Sequence, residues 1–286
     1  MKIYIDGRYY AREEAKISVF DHGLLYGDGI FEGIRIYHNR IFKLKAHLER
    51  LYNSARALML EIPHTLDELT GIVRETVRLN ARENGYIRLV VTRGIGDLGV
   101  NPGKCPAVSV IVIVDDIQLY PKDYYTKGIA IMVASVRRVS ADIFDPRIKS
   151  LNYLNNVLAR IEANQAGCLE AVLLNREGYV TECTGDNIFI VKSGKLVTPP
   201  AYAGILLGIT RQTVFELAAS LKLECIEANL TCYDLYTADE CFLTGTGAEI
   251  IPVISVSGRR VGEGRPGRIT LQLLEEFRKR IAEETD

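Results

Sequence analysis

Arg147-Ile148-Lys149-Ser150-Leu151-Asn152-Tyr153-Leu154-Asn155-Asn156 places one lysine where an extended approach gives way to a helix rich in Asn and Leu. A mid-chain lysine between a basic residue and a hydrophobic run is a candidate for losing its proton. Burial and a neighbouring positive charge both disfavour the ammonium form, which frees the amine as a nucleophile toward a carbonyl. The competing reading is a solvated surface lysine, the usual fate of that residue. What separates the two is the set of residues that can be assembled around Lys149.

Four other segments have chemistry of their own. In Gly204-Ile205-Leu206-Leu207-Gly208-Ile209-Thr210-Arg211, a Gly-containing turn opens a helix near Thr210. Free N–H groups at Ile209 and Thr210, the positive end of the helix dipole and the Thr210 hydroxyl would suit a phosphate. The alternative is a Thr-capped helix. Thr244-Gly245-Thr246-Gly247-Ala248 has the same two readings, because its glycines permit close approach and its hydroxyls can bond oxyanions. Arg50, in His47-Leu48-Glu49-Arg50-Leu51, reads either as a bidentate clamp on a phosphate or carboxylate or as a surface salt bridge with Glu49 or Glu61. Glu182 ends a strand in Tyr179-Val180-Thr181-Glu182-Cys183-Thr184-Gly185-Asp186-Asn187. Opposite a pyridine nitrogen it would hold the proton there and make the ring an electron sink. Otherwise it is a turn carboxylate capping Gly185 or Asn187.

The elements that must position these groups alternate. Ile3–Ile5 and Tyr9–Tyr10 flank the turn dipeptide Asp6-Gly7, and strands at 29–37 and 40–42 flank His38-Asn39. Apolar spacing predicts a helix over 43–59, and Thr65-Leu66-Asp67-Glu68 caps another over 65–82. Strands follow at 86–92 and 107–114, the second β-branched enough to be buried on both faces. The second half reads as a strand at 128–136, a helix at 151–166, and strands at 170–174, 179–182 and 187–191. A helix from about 210, a strand near 224–227, strands around Gly245-Thr246-Gly247 and a closing helix over 267–282 complete it. No G-x-G-x-x-G follows a strand and opens a helix, so the order suggests two α/β domains with mixed sheets and no Rossmann unit. We expect a smaller N-terminal domain over 1–115, a linker over 116–127 and a larger C-terminal domain over 128–286.

The chain has 286 residues, 48% hydrophobic and 25% charged, with net charge −1 spread along its length. That composition is globular and argues against a general nucleic-acid or membrane-surface binder. No apolar run is long enough to span a bilayer, and the first residues form a strand-and-turn pattern unlike a signal peptide. The six cysteines form no C-x-x-C pair and have no His at metal-ligand spacing, which predicts reduced thiols, a cytoplasmic protein and no metal site.

Together, the motifs Tyr26-Gly27-Asp28-Gly29-Ile30-Phe31-Glu32-Gly33-Ile34-Arg35, His47-Leu48-Glu49-Arg50-Leu51, Lys149 with Asn152-Tyr153, the Glu182 turn, Gly208-Ile209-Thr210-Arg211 and Gly245-Thr246-Gly247-Ala248-Glu249 occur in order. Over nearly the whole chain this resembles a class IV, fold-type IV pyridoxal-phosphate aminotransferase, most similar to the branched-chain amino-acid enzymes. The resemblance implies a two-domain fold like that of D-amino-acid aminotransferase, with the cofactor between the domains. It implies that Lys149 forms the Schiff base and moves the proton at the substrate Cα. Glu182 would bond the pyridine nitrogen and Tyr153 the phenolic oxygen. Arg50, Gly208, Ile209 and Thr210 would hold the phosphate with help from Thr246, and Leu206 would pack on the ring.

For the substrate, the resemblance implies a pocket of Tyr26, Phe31 and Tyr120. It adds Tyr86 and Arg88 nearby, Arg88 taking the distal carboxylate of glutamate, with Thr246 and Gly247 N–H groups on the α-carboxylate. Gly96-Asp97-Leu98-Gly99-Val100-Asn101-Pro102 is the expected mobile loop. The implied reaction is Leu, Ile or Val plus 2-oxoglutarate to the branched 2-oxo acid plus glutamate, in at least a homodimer. Alternatives are a D-amino-acid aminotransferase or aminodeoxychorismate lyase of the same fold, or a non-catalytic metabolite-binding protein. Thr92-Arg93-Gly94 resembles the D-specific enzymes, but Ile95-Gly96-Asp97-Leu98 then departs from them. The Lys149 to Tyr153 spacing is one residue shorter than in some branched-chain members.

Overall fold

A computed structural model describes residues 1–117 and 120–283. Residues 118–119 of the expected linker, and the last three of the expected C-terminal domain, lie outside the described residues. The chain groups into two units. One holds Met1–Ile117 and Ile148–Asn152; the other runs up to Arg147 and takes up again over Tyr153–Glu283.

The first unit contains β1 (Lys2–Ile5), β2 (Arg8–Ala11), α1 (His22–Tyr26), β3 (Gly29–Tyr37), β4 (Arg40–Ile41), α2 (Leu44–Ala57), α3 (Leu66–Asn80), β5 (Gly85–Thr92) and β6 (Ser109–Asp115). The strands form one sheet in the order β2-β1-β6-β5-β3-β4. Every pairing in it is antiparallel, where mixed sheets were expected in both halves. Parallel neighbours need a crossover, usually one helix, and here a two-helix excursion separates β4 from β5. The period-2 alternation of β3 sends Ile30, Ile34 and Ile36 into a core with Leu44, Leu48, Leu51 and Ala55 of α2. The capping box at Thr65 and Glu68 forms as expected, the Thr65 N–H donating to Glu68 Oε2 over 2.7 Å. Five-residue α1 has no periodic signal; the Asp21 side chain caps its start and left-handed Gly27 ends it.

The second unit contains α4 (Tyr124–Lys127), β7 (Ile129–Val133), α5 (Leu154–Gln165), β8 (Glu170–Leu174), β9 (Val180–Cys183), β10 (Asn187–Lys192) and β11 (Lys195–Thr198). It continues with α6 (Ile209–Ser220), β12 (Cys225–Glu227), α7 (Cys232–Tyr236), β13 (Glu240–Gly245), β14 (Glu249–Val256), β15 (Arg259–Arg260) and α8 (Arg268–Glu283). Its sheet runs β12-β11-β10-β13-β14-β7-β8-β9, with β15 on β14. This sheet is mixed. The β7–β8 and β11–β12 pairs are parallel, and one long helix, α5 or α6, connects each. Phe189 and Phe242 face each other across β10 and β13, their rings stacked 5.1 Å apart in the core.

The helix expected from residue 151 starts at Leu154. The preceding segment is held elsewhere: Phe31 N–H donates to the Lys149 carbonyl and Leu151 N–H to the Gly29 carbonyl, both at 2.9 Å. Lys149 therefore sits on a short extended rung beside the start of β3.

Candidate active site

In the first unit, Lys149 and Arg88 are brought together at the Phe31 ring. Lys149 Nζ lies 4.7 Å from the Phe31 ring centroid, and its backbone N–H donates to Ser54 Oγ of α2 at 3.2 Å. Arg88 Cζ stands 4.4 Å from the same Phe31 ring and 5.5 Å from that of Tyr86. Phe31 and Glu32 are adjacent in β3 and therefore leave opposite faces. Glu32, fully buried, takes Arg50 Nε and Nη2 on separate oxygens at 2.7 Å each, and its Oε2 also bonds His47 Nδ1 at 2.7 Å. Arg50 thus pairs with a core carboxylate, where the salt-bridge alternative expected surface Glu49 or Glu61. Burial opposes ionisation of Glu32, but Arg50 and His47 together outweigh it and hold the carboxyl well below the usual range. Burial pushes the His47 imidazole down more than Glu32 raises it, with Arg50 and Lys149 adding to the depression. Its Nε2 is buried with no hydrogen-bond partner among the described residues.

Tyr26 stands apart from this group. It is exposed, its hydroxyl donates to the Leu98 carbonyl, and its ring meets His22 edge-on at 5.0 Å. This contact ties α1 to the glycine-bearing loop after residue 95.

In the second unit, the turn after β9 gathers several expected groups. Glu182, buried at the end of β9, receives Arg138 Nη2 on Oε1 at 2.6 Å. Its Oε2 accepts the Leu206 N–H at 2.9 Å and Asn187 Nδ2 at 3.2 Å. Asn187 also donates to the Leu206 carbonyl, so both carboxylate partners fix the segment that leads into α6. Arg138 is held in turn by Asn156 Oδ1 at 2.9 Å and the Gly204 carbonyl.

Gly208 is the N-cap of α6, with no side-chain capping bond, and Ile209 and Thr210 form its first turn. The Thr-capped reading therefore does not describe this helix. A Cβ at Gly208 would overlap Asn187 Oδ1, so the close approach requires glycine. An uncapped first turn with a glycine entrance fits a phosphate.

Thr246 and Gly247 lie on the turn between β13 and β14, partly exposed. Gly245 packs against Asp186, which joins this turn to the Glu182–Asn187 turn. Asp186 itself is buried beside Glu170 and accepts the Tyr120 hydroxyl at 3.0 Å. Burial first, then Glu170, pushes the Asp186 carboxyl up to about 7. Tyr120 is packed into the unit's hydrophobic core, with its hydroxyl committed to Asp186. Tyr153 is the half-buried N-cap of α5.

Sequence reasoning assigned no role to Arg138, Glu32, His47 or Asn156. Glu32 was detectable as a carboxylate inside the apolar strand run Ile30-Phe31-Glu32-Gly33-Ile34. Arg138 was not, because 44 positions separate it from Glu182 and only the sheet brings them together.

Comparison with known proteins assigns the chain to a family. Residues 29–256 match the model of the amino-transferase class IV family, and the chain belongs to that family. A putative branched-chain-amino-acid aminotransferase of Methanocaldococcus jannaschii is 52% identical over 97% of this chain and 96% of its own. The crystal structure of the Escherichia coli branched-chain amino acid aminotransferase superposes with a TM-score of 0.96 at 36% identity, covering 100% of this chain and 96% of that one. That of the Thermobaculum terrenum branched-chain amino acid aminotransferase in its pyridoxal-phosphate form gives 0.89 at 32% identity, over 98% and 93%.

Proposed function

We propose that this aminotransferase moves the amino group of L-leucine, L-isoleucine or L-valine to 2-oxoglutarate, with pyridoxal 5′-phosphate as its cofactor. The observation that carries the substrate assignment is the Phe31 ring, with Lys149 Nζ at 4.7 Å and Arg88 Cζ at 4.4 Å. A wall that is aromatic and cationic at once suits an isobutyl side chain in one half-reaction and the distal carboxylate of glutamate in the other. Tyr86, beside Arg88, extends that wall.

The residues present fit the cofactor. Gly208 with the Ile209 and Thr210 N–H groups would hold the phosphate, with Thr246 and Arg50 assisting. Leu206 would pack on the ring and Tyr153 would bond the phenolic oxygen. Glu182, its charge fixed by Arg138, would keep the pyridine nitrogen protonated. When bound, the cofactor supplies the electron sink that lets the bond at the substrate Cα break.

Lys149 supplies the amine. That amine would carry the proton between the substrate Cα and C4′ of the cofactor. Glu32 neutralises Arg50, so that cation carries its own counter-charge. Thr246 and Gly247 N–H groups would orient the α-carboxylate. Tyr120 is assigned to holding Asp186.

The enzyme works as a homodimer or larger homo-oligomer in the cytoplasm on this reading. Two features support the assembly. Val19, Phe20 and Leu24 with Leu98 and Val100 are exposed on the first unit. On α5, Leu154, Val157, Leu158 and Ile161 form an exposed stripe at helical spacing. No described helix is long and apolar enough to cross a membrane.

Mass-spectrometric identification of products tests the assignment. Incubation with L-leucine and 2-oxoglutarate should yield 4-methyl-2-oxopentanoate and L-glutamate. Turnover of D-alanine in place of L-leucine would contradict it.

A further inference from the structure

The turn between β13 and β14 closes on Glu249, which adopts the left-handed conformation with φ of 59°. Glycine is the usual residue at such a position, because a side chain there crowds the backbone. Something must hold a non-glycine residue in place. Two side chains from separate helices do so. Tyr125 of α4 donates its hydroxyl to the Ala248 carbonyl at 2.9 Å. Arg278 of α8 reaches Glu249 Oε2 with Nε at 3.3 Å and Nη2 at 3.4 Å. The two are themselves joined, Arg278 Cζ lying 5.2 Å from the Tyr125 ring centroid. Gly245, at the start of the same turn, is seated against Asp186 and the Gly185 carbonyl, which leaves no room for a side chain there.

We infer that Tyr125 and Arg278 are positioning residues. They brace residues 246–248 so that the Thr246 and Gly247 N–H groups stay aimed at the α-carboxylate of the amino acid. This rests on the proposed function for its substrate, and it adds a device that sets carboxylate affinity from outside the site. Both side chains act through the Ala248 carbonyl and the Glu249 carboxylate.

Tyr125→Phe, Arg278→Ala and Arg278→Lys test it in the holoenzyme, by native-state hydrogen exchange and by steady-state kinetics. In Tyr125→Phe and Arg278→Ala, the amides of 246–248 should exchange roughly tenfold faster or more, with β8 and β10 unchanged and Arg278→Lys close to wild type. The KM for L-leucine and the Kd for 4-methylvaleric acid, a leucine-shaped acid lacking the amine, should rise together by about tenfold. Cofactor affinity and kcat should stay within about twofold, since the change is in ground-state binding. Unchanged exchange in both variants overturns the brace whatever the kinetics, and so does exchange that rises across the whole unit. A wild-type enzyme that ignores L-leucine overturns the functional reading instead, and the exchange measurement still decides the brace.

Discussion

Arg138 Nη2 lies 2.6 Å from Glu182 Oε1, with both side chains almost withdrawn from water. The pairing makes Glu182 a fixed negative charge at the end of β9. It also links that charge to α5 through Asn156 and to the α6 entrance through Leu206.

Removing either partner has a distinct expected effect. Arg138→Met takes the cationic partner from a buried carboxylate and should lower unfolding free energy by about 3–5 kcal/mol. Glu182→Gln keeps the shape but cannot hold a proton on a ring nitrogen. It should still bind cofactor, while kcat falls by about 100-fold or more. Denaturant titration and single-turnover kinetics separate these effects. Equal, small losses in both variants would mean that the pair is merely structural.

Glu32 should be the most costly acidic residue to change in the first unit. Glu32→Gln leaves Arg50 half-buried against a neutral amide, with an expected loss of about 3–5 kcal/mol and weaker cofactor retention. The sign of its pH dependence follows from a depressed carboxyl. Its stabilisation is present above the unfolded-state value near pH 4 and is lost as the pH falls toward the lower folded-state value. Acid unfolding of the variant should be less steep below about pH 4 than that of wild type.

Gly208→Ala should act locally. The added methyl overlaps Asn187 Oδ1, and the side-chain shift this forces draws Nδ2 away from Glu182 and the Leu206 carbonyl. Cofactor affinity should fall by about tenfold or more, while Tm drops by only a few degrees. Equilibrium dialysis against pyridoxal phosphate measures the first and calorimetry the second.

Asp186 predicts a slope of the opposite kind. Its folded-state value near 7 exceeds the ordinary 3.8, so the native state holds a proton that the unfolded chain has released. Stability from this group is complete below about pH 4 and declines until about pH 7. Denaturant midpoints at pH 5 and pH 8 should differ in wild type and converge in Asp186→Asn. An unchanged difference would assign the slope to other groups.

Much of this was legible in the sequence where local chemistry decides. The Asp6-Gly7 hairpin, the Thr65 capping box and β3 over residues 29–37 follow from turn residues, caps and periodicity. Short elements escaped: α1 is five residues long and β11 four, too few to show a period. The start of α5 was misplaced because Lys149 and Leu151 bond to β3, and nothing in their own neighbourhood encodes that. The groups that set the charges of the site, Arg138 on Glu182 and Glu32 on Arg50, pair across 44 and 18 positions. Tyr120 illustrates the converse, since an aromatic suited to a pocket is equally suited to a core.

A visible absorption spectrum shows whether Lys149 is the amine through which amino groups pass. Wild type and Lys149→Ala, each loaded with pyridoxal phosphate, are compared before and after L-leucine. In wild type the visible band expected of a protonated Schiff base should bleach with L-leucine and return with 2-oxoglutarate. Lys149→Ala should lack both the lysine-derived band and its cycling. A variant that cycles like wild type would mean that another group passes the amino group on.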